Sequence, residues 1–297
     1  MGLAMNEIHD KLSYSQINNF HNCPRKWSYQ YIDNIKTTGK SIYLEYGSAV
    51  HYVLENMLRH TQNKDFKTEL GSSISDIRAN GLEYVTGRIK DFKGEDLYDL
   101  TQLADSEFKR YLNKEGFYAE ILSNDAKIEG VEEPFSLEIQ TLLKGKEVMF
   151  TLRGFIDLVY RDRNGLVVVD HKTSKSKFQK KKRRDDLQLP IYFMAIHQKY
   201  GEYPYKGVYN FTKLNIQQET TFTPKVTRKM EEAMNERNPK IIYGTDPQQA
   251  KKEIIQTFKD MNNEKKRRKA NPSPLCYFCD YKQMCDKASD WVPKDKR

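Results

Sequence analysis

The chain contains 297 residues, of which 38% are hydrophobic and 12% aromatic, enough to bury a sizeable core. That composition excludes wholesale disorder, and the low counts of glycine (15) and proline (10) exclude a collagen-like or low-complexity chain. Fifty Lys and Arg residues against 41 Asp and Glu residues give a net charge of +9, which favours a polyanionic partner over a membrane.

The sequence predicts a cytoplasmic location. It contains no apolar run near the roughly 20 residues that a bilayer crossing requires, and its first residues lack the apolar core of a secretory signal peptide. In a reducing compartment, cysteines are more often free thiols or metal ligands than disulfides.

Helical patterns dominate residues 13–130. Cys23 followed by Pro24 is typical of an N-cap and a first helical position. A longer helix is predicted over 44–60, in which His51 and Glu55 are four positions apart and share a face. A lone histidine on a helix is more often structural than a ligand, so spacing alone does not assign His51 a role.

From residue 130 the pattern predicts strands. The segments VEEPFSLEI, EVMFTLRGFIDLVY and GLVVVDHKT are rich in β-branched and aromatic residues. Asn164-Gly165 between the last two is a strong signal for a tight turn. The resulting hairpin presents Asp157 on one strand and Asp170 at the end of the next.

A basic run follows the strands. Residues 171–184 hold eight Lys and Arg residues and no acid, which fits either a solvated loop or a loop that grips phosphates. The helical spacing of 185–200 places Gln188 and Tyr192 on one side. A hairpin over 201–223 and long polar helices over 227–269 complete the prediction.

The four cysteines are unevenly placed. Cys276, Cys279 and Cys285 form a C-x2-C-x5-C pattern near the end of the sequence, and Cys23 is the only thiol left to complete a four-ligand site. Zinc and a [4Fe–4S] cluster both fit four thiolates. The ligands of structural zinc sites usually occur in the sequence as two close pairs, so the three-plus-one layout favours the cluster. Four unrelated cysteines remain the alternative.

Asp157, Asp170 and Lys172 are candidate catalytic residues. Aspartates in buried strands are costly unless they are paired or bound to a cation. Two of them on adjacent strands repel each other unless a divalent metal lies between them. Lys172 points to the same face of its strand as Asp170. A carboxylate pair, a divalent metal and a lysine are what metal-dependent phosphodiester hydrolysis needs.

The surrounding motifs resemble, in sequence order, those of the PD-(D/E)XK nuclease superfamily in its RecB-like branch, and especially those of Cas4-type and AddB-type iron–sulfur exonucleases. The matching segments are SYSQINNFHNCPRKW, GSAVHYVLE, GFID, DHKT, QLPIY and CYFCDYKQMC. The sequence departs from the pattern at His171, where an aromatic or apolar residue is frequent, and residues 60–130 follow no family pattern.

The resemblance implies a role for each matching residue. The Mg²⁺ or Mn²⁺ ligands are His51, Asp157, Asp170 and the backbone carbonyl of His171, with Lys172 as the catalytic lysine. Gln188 and Tyr192 steady the active site. A [4Fe–4S] cluster is held by Cys23, Cys276, Cys279 and Cys285. The basic run becomes a DNA-binding track comprising Lys175, Lys177, Lys180, Lys181, Lys182, Arg183 and Arg184.

The resemblance also implies an α/β (α+β) restriction-endonuclease-like fold with a mixed central sheet flanked by helices. We expect a single nuclease domain over 1–297, with a mainly helical part (1–130), a catalytic core (131–225) and a C-terminal part (226–297) whose cysteine cluster closes onto Cys23.

The expected function is a single-strand DNA exonuclease that acts in recombination, repair or DNA end processing in a bacterium or phage. Protein partners and a ring-shaped oligomer are compatible with this expectation. The alternative is a catalytically silent iron–sulfur subunit that only binds DNA, but such a copy should have lost at least one of His51, Asp157, Asp170 or Lys172, and all four are present.

Overall fold

The computed structural model describes residues 9–37, 41–92, 96–221, 241–243 and 246–288. Within these ranges the chain is a mixed α/β protein with a mixed central sheet flanked by helices, which confirms the predicted fold class. No helix among the described residues combines the length and apolarity needed to span a membrane.

The chain divides into two compact units. The first comprises Met1–Gly39, Ser136–Gly154 and Gln248–Arg297, and the second comprises Lys40–Phe135 and Phe155–Pro247. The boundaries cut the two long strands, so each of these strands contributes residues to both units.

The first unit joins sequence-distant segments. Its elements are β1 (Lys11–Leu12), α1 (Tyr14–Asn22), α2 (Pro24–Tyr31), α9 (Pro247–Met261, all but its first residue) and α10 (Glu264–Arg267). Ser13 caps α1 by accepting the backbone N–H of Gln16, and Pro24 begins α2, as predicted. Buried Trp27 and the stacked rings of Phe150 and Phe258, with centroids 4.2 Å apart, form its core.

Among the described residues, four helices of the second unit precede its strands in the sequence and two lie between its strands. They are α3 (Ile42–Gln62), α4 (Ile74–Ile89), α5 (Asp96–Leu112), α6 (Phe117–Ile121), α7 (Lys180–Asp185) and α8 (Gln188–Tyr200). Val50, Leu54 and Met57, which helical spacing predicts to form an apolar stripe on α3, are fully buried in the main core. Pro190 lies in the first turn of α8, where a missing N–H costs no helical hydrogen bond.

The strands form one sheet. They are β2 (Lys127–Leu143), β3 (Lys146–Asp162), β4 (Gly165–Lys172), β5 (Lys206–Phe211), β6 (Ile216–Thr221) and β7 (Ile241–Tyr243), together with β1. The order is β1-β3-β4-β5-β6-β7, and β2 pairs with β3. The pairs β3–β4 and β5–β6 are antiparallel, whereas β1–β3, β4–β5 and β6–β7 are parallel.

The predicted tight turn joins β3 to β4, where Asp162 pairs with Gly165. The Asp162 carboxylate accepts the backbone N–H of Asn164 at 2.7 Å and that of Gly165 at 3.2 Å. Gly165 has a φ of +134°, which a side chain would disfavour. The turn therefore fixes the register that brings Asp157 and Asp170 to neighbouring positions.

Two predictions about local structure were incomplete. The end of the basic run is the short helix α7 rather than a loop, since Lys and Arg are good helix formers once one side can pack. Strand β7 lies inside the segment predicted as helical, because Ile241-Ile242-Tyr243 is β-branched and aromatic. Residues 227–240 of that segment lie outside the described residues.

Candidate metal centre

The end of β4 carries Asp170, His171 and Lys172 on alternating faces. Asp170 is 3% exposed, and its Oδ2 lies 2.7 Å from the Lys172 Nζ. His171, between them, is also buried and places its Nδ1 3.1 Å from the side-chain nitrogen of Asn210 on β5. The period of two along a strand therefore directs the acid and the amine to one side and the imidazole to the other.

Asp157 lies on β3 beside the end of β4. Its Oδ2 accepts the backbone N–H of His171 at 2.6 Å, so the hairpin ladder itself orients this carboxylate. The same oxygen lies 3.5 Å from the Nδ1 of His51 on α3. Three separate elements, α3, β3 and β4, thus converge on one point.

His51 approaches the strands because α3 packs tightly at Gly47, one turn earlier. A Cβ on Gly47 would lie 2.8 Å from the Oγ1 of Thr173, the residue after Lys172. Only glycine allows this approach without displacing Thr173.

Glu132 on β2 completes the group, and it was absent from the sequence prediction. The ligand atoms of His51, Glu132 and Asp157 all lie within 4.8 Å of one another. Glu132 has a φ of +48°, unusual for a residue with a side chain, so the strand is locally irregular there. The signal in the sequence is the pair Glu132-Glu133 before Pro134, which interrupts the alternation of an otherwise half-buried strand.

A hydrogen-bond network holds the acid–lysine pair. Lys172 Nζ donates to the Gln188 side-chain oxygen at 2.7 Å, while the Gln188 side-chain nitrogen donates to Asp170 Oδ1. Tyr192 OH lies 3.1 Å from the same Asp170 oxygen and 2.9 Å from Gln188. Gln188 and Tyr192 share one side of α8, as their spacing predicted, and both are buried.

The electrostatics of the site penalise its metal-free form. Burial and then the charge of Asp170 raise the pKa of Asp157 well above its usual range. Burial, followed by the charges of Asp157 and Glu55, raises the pKa of Glu132 to about 7. Burial lowers the pKa of His51, and it lowers that of His171 to about 3, so both imidazoles are neutral near pH 7.

These residues fit a divalent cation. Carboxylate oxygens and a neutral imidazole are ligands of Mg²⁺ and Mn²⁺, and clustered buried acids are stabilised by a positive charge between them. In the part of the chain that the structure describes, His51, Glu132 and Asp157 are the only such group of histidine, cysteine and acidic side chains. The site opens into a cavity of about 540 Å³ whose lining includes His51, Asp157, Asp170 and Lys172.

Comparison with known proteins decides the family. The model of the PD-(D/E)XK nuclease superfamily matches residues 11–286. The chain belongs to this superfamily. Membership makes it a nuclease of a metal-dependent class, which agrees with the acidic, histidine-containing site. No curated protein matches the chain.

Two solved structures resemble the nuclease weakly. The crystal structure of SSO0001 shares 16% identity at a TM-score of 0.32, covering 73% of this chain and 98% of the other. The crystal structure of protein VC1899 from Vibrio cholerae shares 13% identity at a TM-score of 0.19, covering 84% of this chain and 57% of the other. At these TM-scores neither resemblance adds to the assignment of the fold.

In this PD-(D/E)XK nuclease the basic run is mostly accessible. Lys175, Lys177, Lys180, Lys181 and Lys182 are exposed, and Lys182 Nζ lies 5.0 Å from the centre of the Phe178 ring. Arg184 pairs with Asp185 at 2.7 Å. Arg183 differs because it is buried, and burial lowers the pKa of its guanidinium.

The four cysteines lie together in the first unit. All four line one cavity of about 240 Å³. Arg25 on α2 holds the segment before the C-terminal cysteines, since its backbone N–H and its Nε donate to the carbonyls of Lys269 and Arg268. The backbone N–H of Ser273 points to the Cys276 sulfur at 3.5 Å, and burial raises the pKa of the Cys279 thiol.

Proposed function

We propose that the chain is a Mg²⁺- or Mn²⁺-dependent deoxyribonuclease that removes nucleotides from single-stranded DNA ends, of the RecB-like, Cas4- and AddB-related type. The observation that carries the proposal is the convergence of His51, Asp157, Asp170 and Lys172, separated by up to 121 positions in the sequence, on one accessible cavity. In metal-dependent phosphodiester hydrolysis, a lysine beside a buried acidic metal site orients water or stabilises the charge that develops on the phosphate.

The metal ligands in this proposal are His51, Asp157, Asp170 and the carbonyl of His171, joined by Glu132. When bound, the cation supplies positive charge that polarises the scissile phosphate and increases the acidity of water. Neutral His51 offers a ring nitrogen as a ligand, and the hydrogen bond from the His171 N–H keeps Asp157 directed at the site. Glu132 adds negative charge that balances the ion.

Lys172 serves as the catalytic lysine. Its ammonium is held 2.7 Å from both Asp170 Oδ2 and the Gln188 side-chain oxygen, so it needs little reorganisation to orient water or to stabilise charge developing on the phosphate. Gln188 and Tyr192 donate hydrogen bonds to Asp170 Oδ1, and these bonds direct Oδ2 towards Lys172 and the cavity. They are positioning residues because they act through Asp170 and Lys172.

DNA binding rests on charge. The net charge of +9 and the exposed lysines after Lys172 supply cations next to the cavity, where the phosphates of a strand must pass. Lys175, Lys177, Lys180, Lys181, Lys182 and Arg184 are the proposed contacts. Arg183, being buried, contributes to the packing of α7 as well as to the local potential.

A [4Fe–4S] cluster is the proposed occupant of the cysteine cavity. Cys276, Cys279 and Cys285 lie in one short run and Cys23 lies far from them in the sequence, whereas the ligands of structural zinc sites usually occur as two close pairs. A cluster binds each of four thiolates to a different iron and fits this three-plus-one layout. Its role would be to pin the C-terminal segment to Cys23.

We also propose a cellular setting for this activity. A single cytoplasmic nuclease domain, active in recombination, repair or end processing in a bacterium or phage, fits the chemistry of the site, and protein partners or a ring of copies are compatible with it. A silent DNA-binding subunit is the weaker candidate, because the ligands and the lysine are not only present but arranged for use.

Activity of the wild-type protein and of Lys172→Ala tests the enzyme. End-labelled single-stranded DNA with Mn²⁺ should be shortened by the wild type, and the variant should be at least about 100-fold slower because one stabilising cation is lost. Lys251→Ala, at an exposed lysine on α9, is the matched control and should retain activity. Equal rates for wild type and Lys172→Ala would refute the assignment.

The visible spectrum of anaerobically purified protein tests the cluster. We expect a brown protein whose colour bleaches on reduction, with about four irons per chain. A colourless protein that contains stoichiometric zinc would contradict the proposed cluster while leaving the nuclease site untouched.

A further inference from the structure

Two large apolar side chains are exposed at the beginning of α3, beside the metal centre. Tyr43 is 42% exposed and Leu44 is 73% exposed, and both line the two open cavities that contain His51 and Asp157. The next residue of similar size, Tyr46, is buried. Tyr43 and Leu44 together place adjacent apolar surface at the entrance of a polar site, which suits a ligand that has both an apolar surface and charge.

Helical geometry places these residues in line with the metal ligand. Tyr43, Gly47 and His51 are spaced by four, and Leu44 precedes His51 by seven, so all lie on one face of α3. Seven residues correspond to about 10 Å along a helix. Stacked nucleotides rise by about 3.4 Å each. Leu44 therefore lies about three nucleotides from His51 along a strand that follows this face.

Cations surround Tyr43. Lys175 Nζ lies 3.1 Å from the Tyr43 hydroxyl and 4.8 Å from the ring centre. Lys213 Nζ lies 5.3 Å from the same ring and 4.2 Å from the centre of the Tyr46 ring. These rings hold two ammonium groups from different segments of the chain close together without neutralising their charge.

We propose that this face is a subsite for single-stranded DNA, in which Leu44 packs against an exposed base and Lys175 and Lys213, positioned by Tyr43, hold a phosphate of the same strand. The inference rests on the proposed function, and it adds a selectivity contact about three nucleotides from the metal centre. A single strand presents the base that Leu44 needs, whereas a paired and stacked base in a duplex does not.

The sharpest test combines removal of the side chain with removal of the base. Lys172→Ala serves as the binding protein, with and without Leu44→Ala, in Mn²⁺. Fluorescence anisotropy measures the affinity for 12-nucleotide single strands in which one abasic site is stepped through the sequence. Sugar and phosphate stay constant in this series, so only the base contact changes.

We expect an abasic site at one or two adjacent positions to weaken binding about five- to tenfold, as loss of a base contact does. Leu44→Ala should weaken binding to intact DNA by the same factor and should abolish the penalty at those positions. Leu142→Ala, at a leucine of similar exposure outside the cavity lining, should keep both the affinity and the penalty. An unchanged penalty in Leu44→Ala would overturn the inference.

The salt dependence of binding tests the role of the two lysines separately. In single-strand binding, loss of the contact to one phosphate reduces the magnitude of the negative slope of log K against log salt by about 0.7. Lys175→Gln with Lys213→Gln, which removes both cations from one phosphate, should therefore reduce the magnitude of the slope by about 0.7, whereas Leu44→Ala should leave it unchanged. A slope that the double variant leaves unaltered would remove the phosphate part of the proposal.

Cleavage by the wild type separates this inference from the proposed function. If the wild type cleaves single strands but Leu44 and the base are not coupled, only the inference fails. If coupling is found in binding while the wild type cleaves no DNA with either metal, the proposed enzyme fails and the subsite stands. Absence of any binding to single-stranded DNA contradicts both.

Discussion

The acidic side chains of the site favour different protonation states before and after a cation binds. Asp157, Glu132 and Asp170 come close enough for burial and mutual repulsion to raise the pKa of the first two. Without a cation the neutral forms are favoured, whereas a divalent ion favours the ionised forms. The site is therefore arranged for binding a cation at a cost to the stability of the empty protein.

This cost predicts a pH dependence of stability. The pKa of Glu132 is raised to about 7 in the folded protein, so between its ordinary value and pH 7 the folded state binds more protons than the unfolded state. The contribution of Glu132 to the stability of the metal-free protein should therefore fall as pH rises through this window, whereas the lowered pKa values of His51 and His171 act in the opposite direction at the acidic end. Thermal melts in EDTA should show that the Tm of the wild type falls relative to that of Glu132→Gln between pH 5.5 and pH 8.

Glu132→Gln isolates the effect. It should remove the part of the pH dependence that is due to Glu132, leaving the parts due to Asp157 and the buried histidines, and it should reduce the extra stabilisation that Mn²⁺ gives at pH 8. Glu133→Gln, the adjacent acid that pairs with Lys199, is the control and should not change the Mn²⁺ effect. If both variants behave as the wild type does, Glu132 is not part of the metal site.

Gln188 provides a second prediction at the scale of one residue. Gln188→Ala removes contacts to both Lys172 and Asp170, so kcat should fall about 10- to 100-fold with a smaller change in KM. Gln198→Ala, on the exposed side of the same helix, is the control. A change confined to KM would indicate that Gln188 binds the DNA rather than the active-site pair.

Sequence reasoning named most side chains of this site but missed Glu132. Asp157, Asp170 and Lys172 could be found because strand alternation assigns a direction to each, whereas the roles of His51, Gln188 and Tyr192 came from the resemblance to the nuclease superfamily. Glu132 could not, because its backbone leaves the regular strand conformation, and a period of two gives no direction for such a residue.

At the scale of elements, the position of α3 decides whether His51 reaches the strands. The helix rests on Gly47, where an added Cβ would lie 2.8 Å from Thr173 Oγ1. Gly47→Ala improves intrinsic helix propensity by about 1 kcal/mol but pushes α3 or Thr173 outward. We expect about tenfold lower activity with a Tm close to that of the wild type.

A compensating variant tests this explanation. Thr173→Ala removes the opposing hydroxyl, so Gly47→Ala with Thr173→Ala should recover most of the activity that Gly47→Ala loses. Activity assays on the two single variants and the double variant give the coupling. Additive losses would show that Gly47 matters for another reason than this close approach.

The elements themselves were predictable to different degrees. The α3 stripe, the β3–β4 hairpin and the β5–β6 pair followed from periodicity and turn chemistry. The helix α7 was not expected, because a run of like charges contains no apolar residues whose spacing could indicate a helix. Only the burial of Arg183 in the structure shows which side of α7 packs against the protein. The strand β7 has three residues, too few for alternation to be read.

At the scale of the whole molecule, distant parts of the sequence meet in one unit. Cys23 and the three C-terminal cysteines line the same cavity, so a bound cluster would close a loop of more than 250 residues. The spacing of the cysteines left zinc, a [4Fe–4S] cluster and four unrelated thiols open, and it reached Cys23 only because no other cysteine remained.

Loss of this cluster should destabilise the protein. Cys285→Ser, or removal of iron from the wild type, should lower the Tm by several degrees, since metal binding to the folded state contributes to folding free energy. Circular dichroism melts under anaerobic conditions measure it, with the neighbouring Met284→Ala as control. Identical melting of the iron-loaded and iron-free wild-type proteins would show that the cysteines play no structural part.

The central claim is that one divalent cation binds among His51, Asp157 and Asp170, next to Lys172. Anomalous diffraction from crystals grown with Mn²⁺ tests it most directly, because it locates the ion without reference to activity. We predict a single strong manganese peak within coordination distance of His51, Asp157 and Asp170. A Mn²⁺-saturated crystal with no peak there, or with manganese bound only elsewhere, would contradict the account.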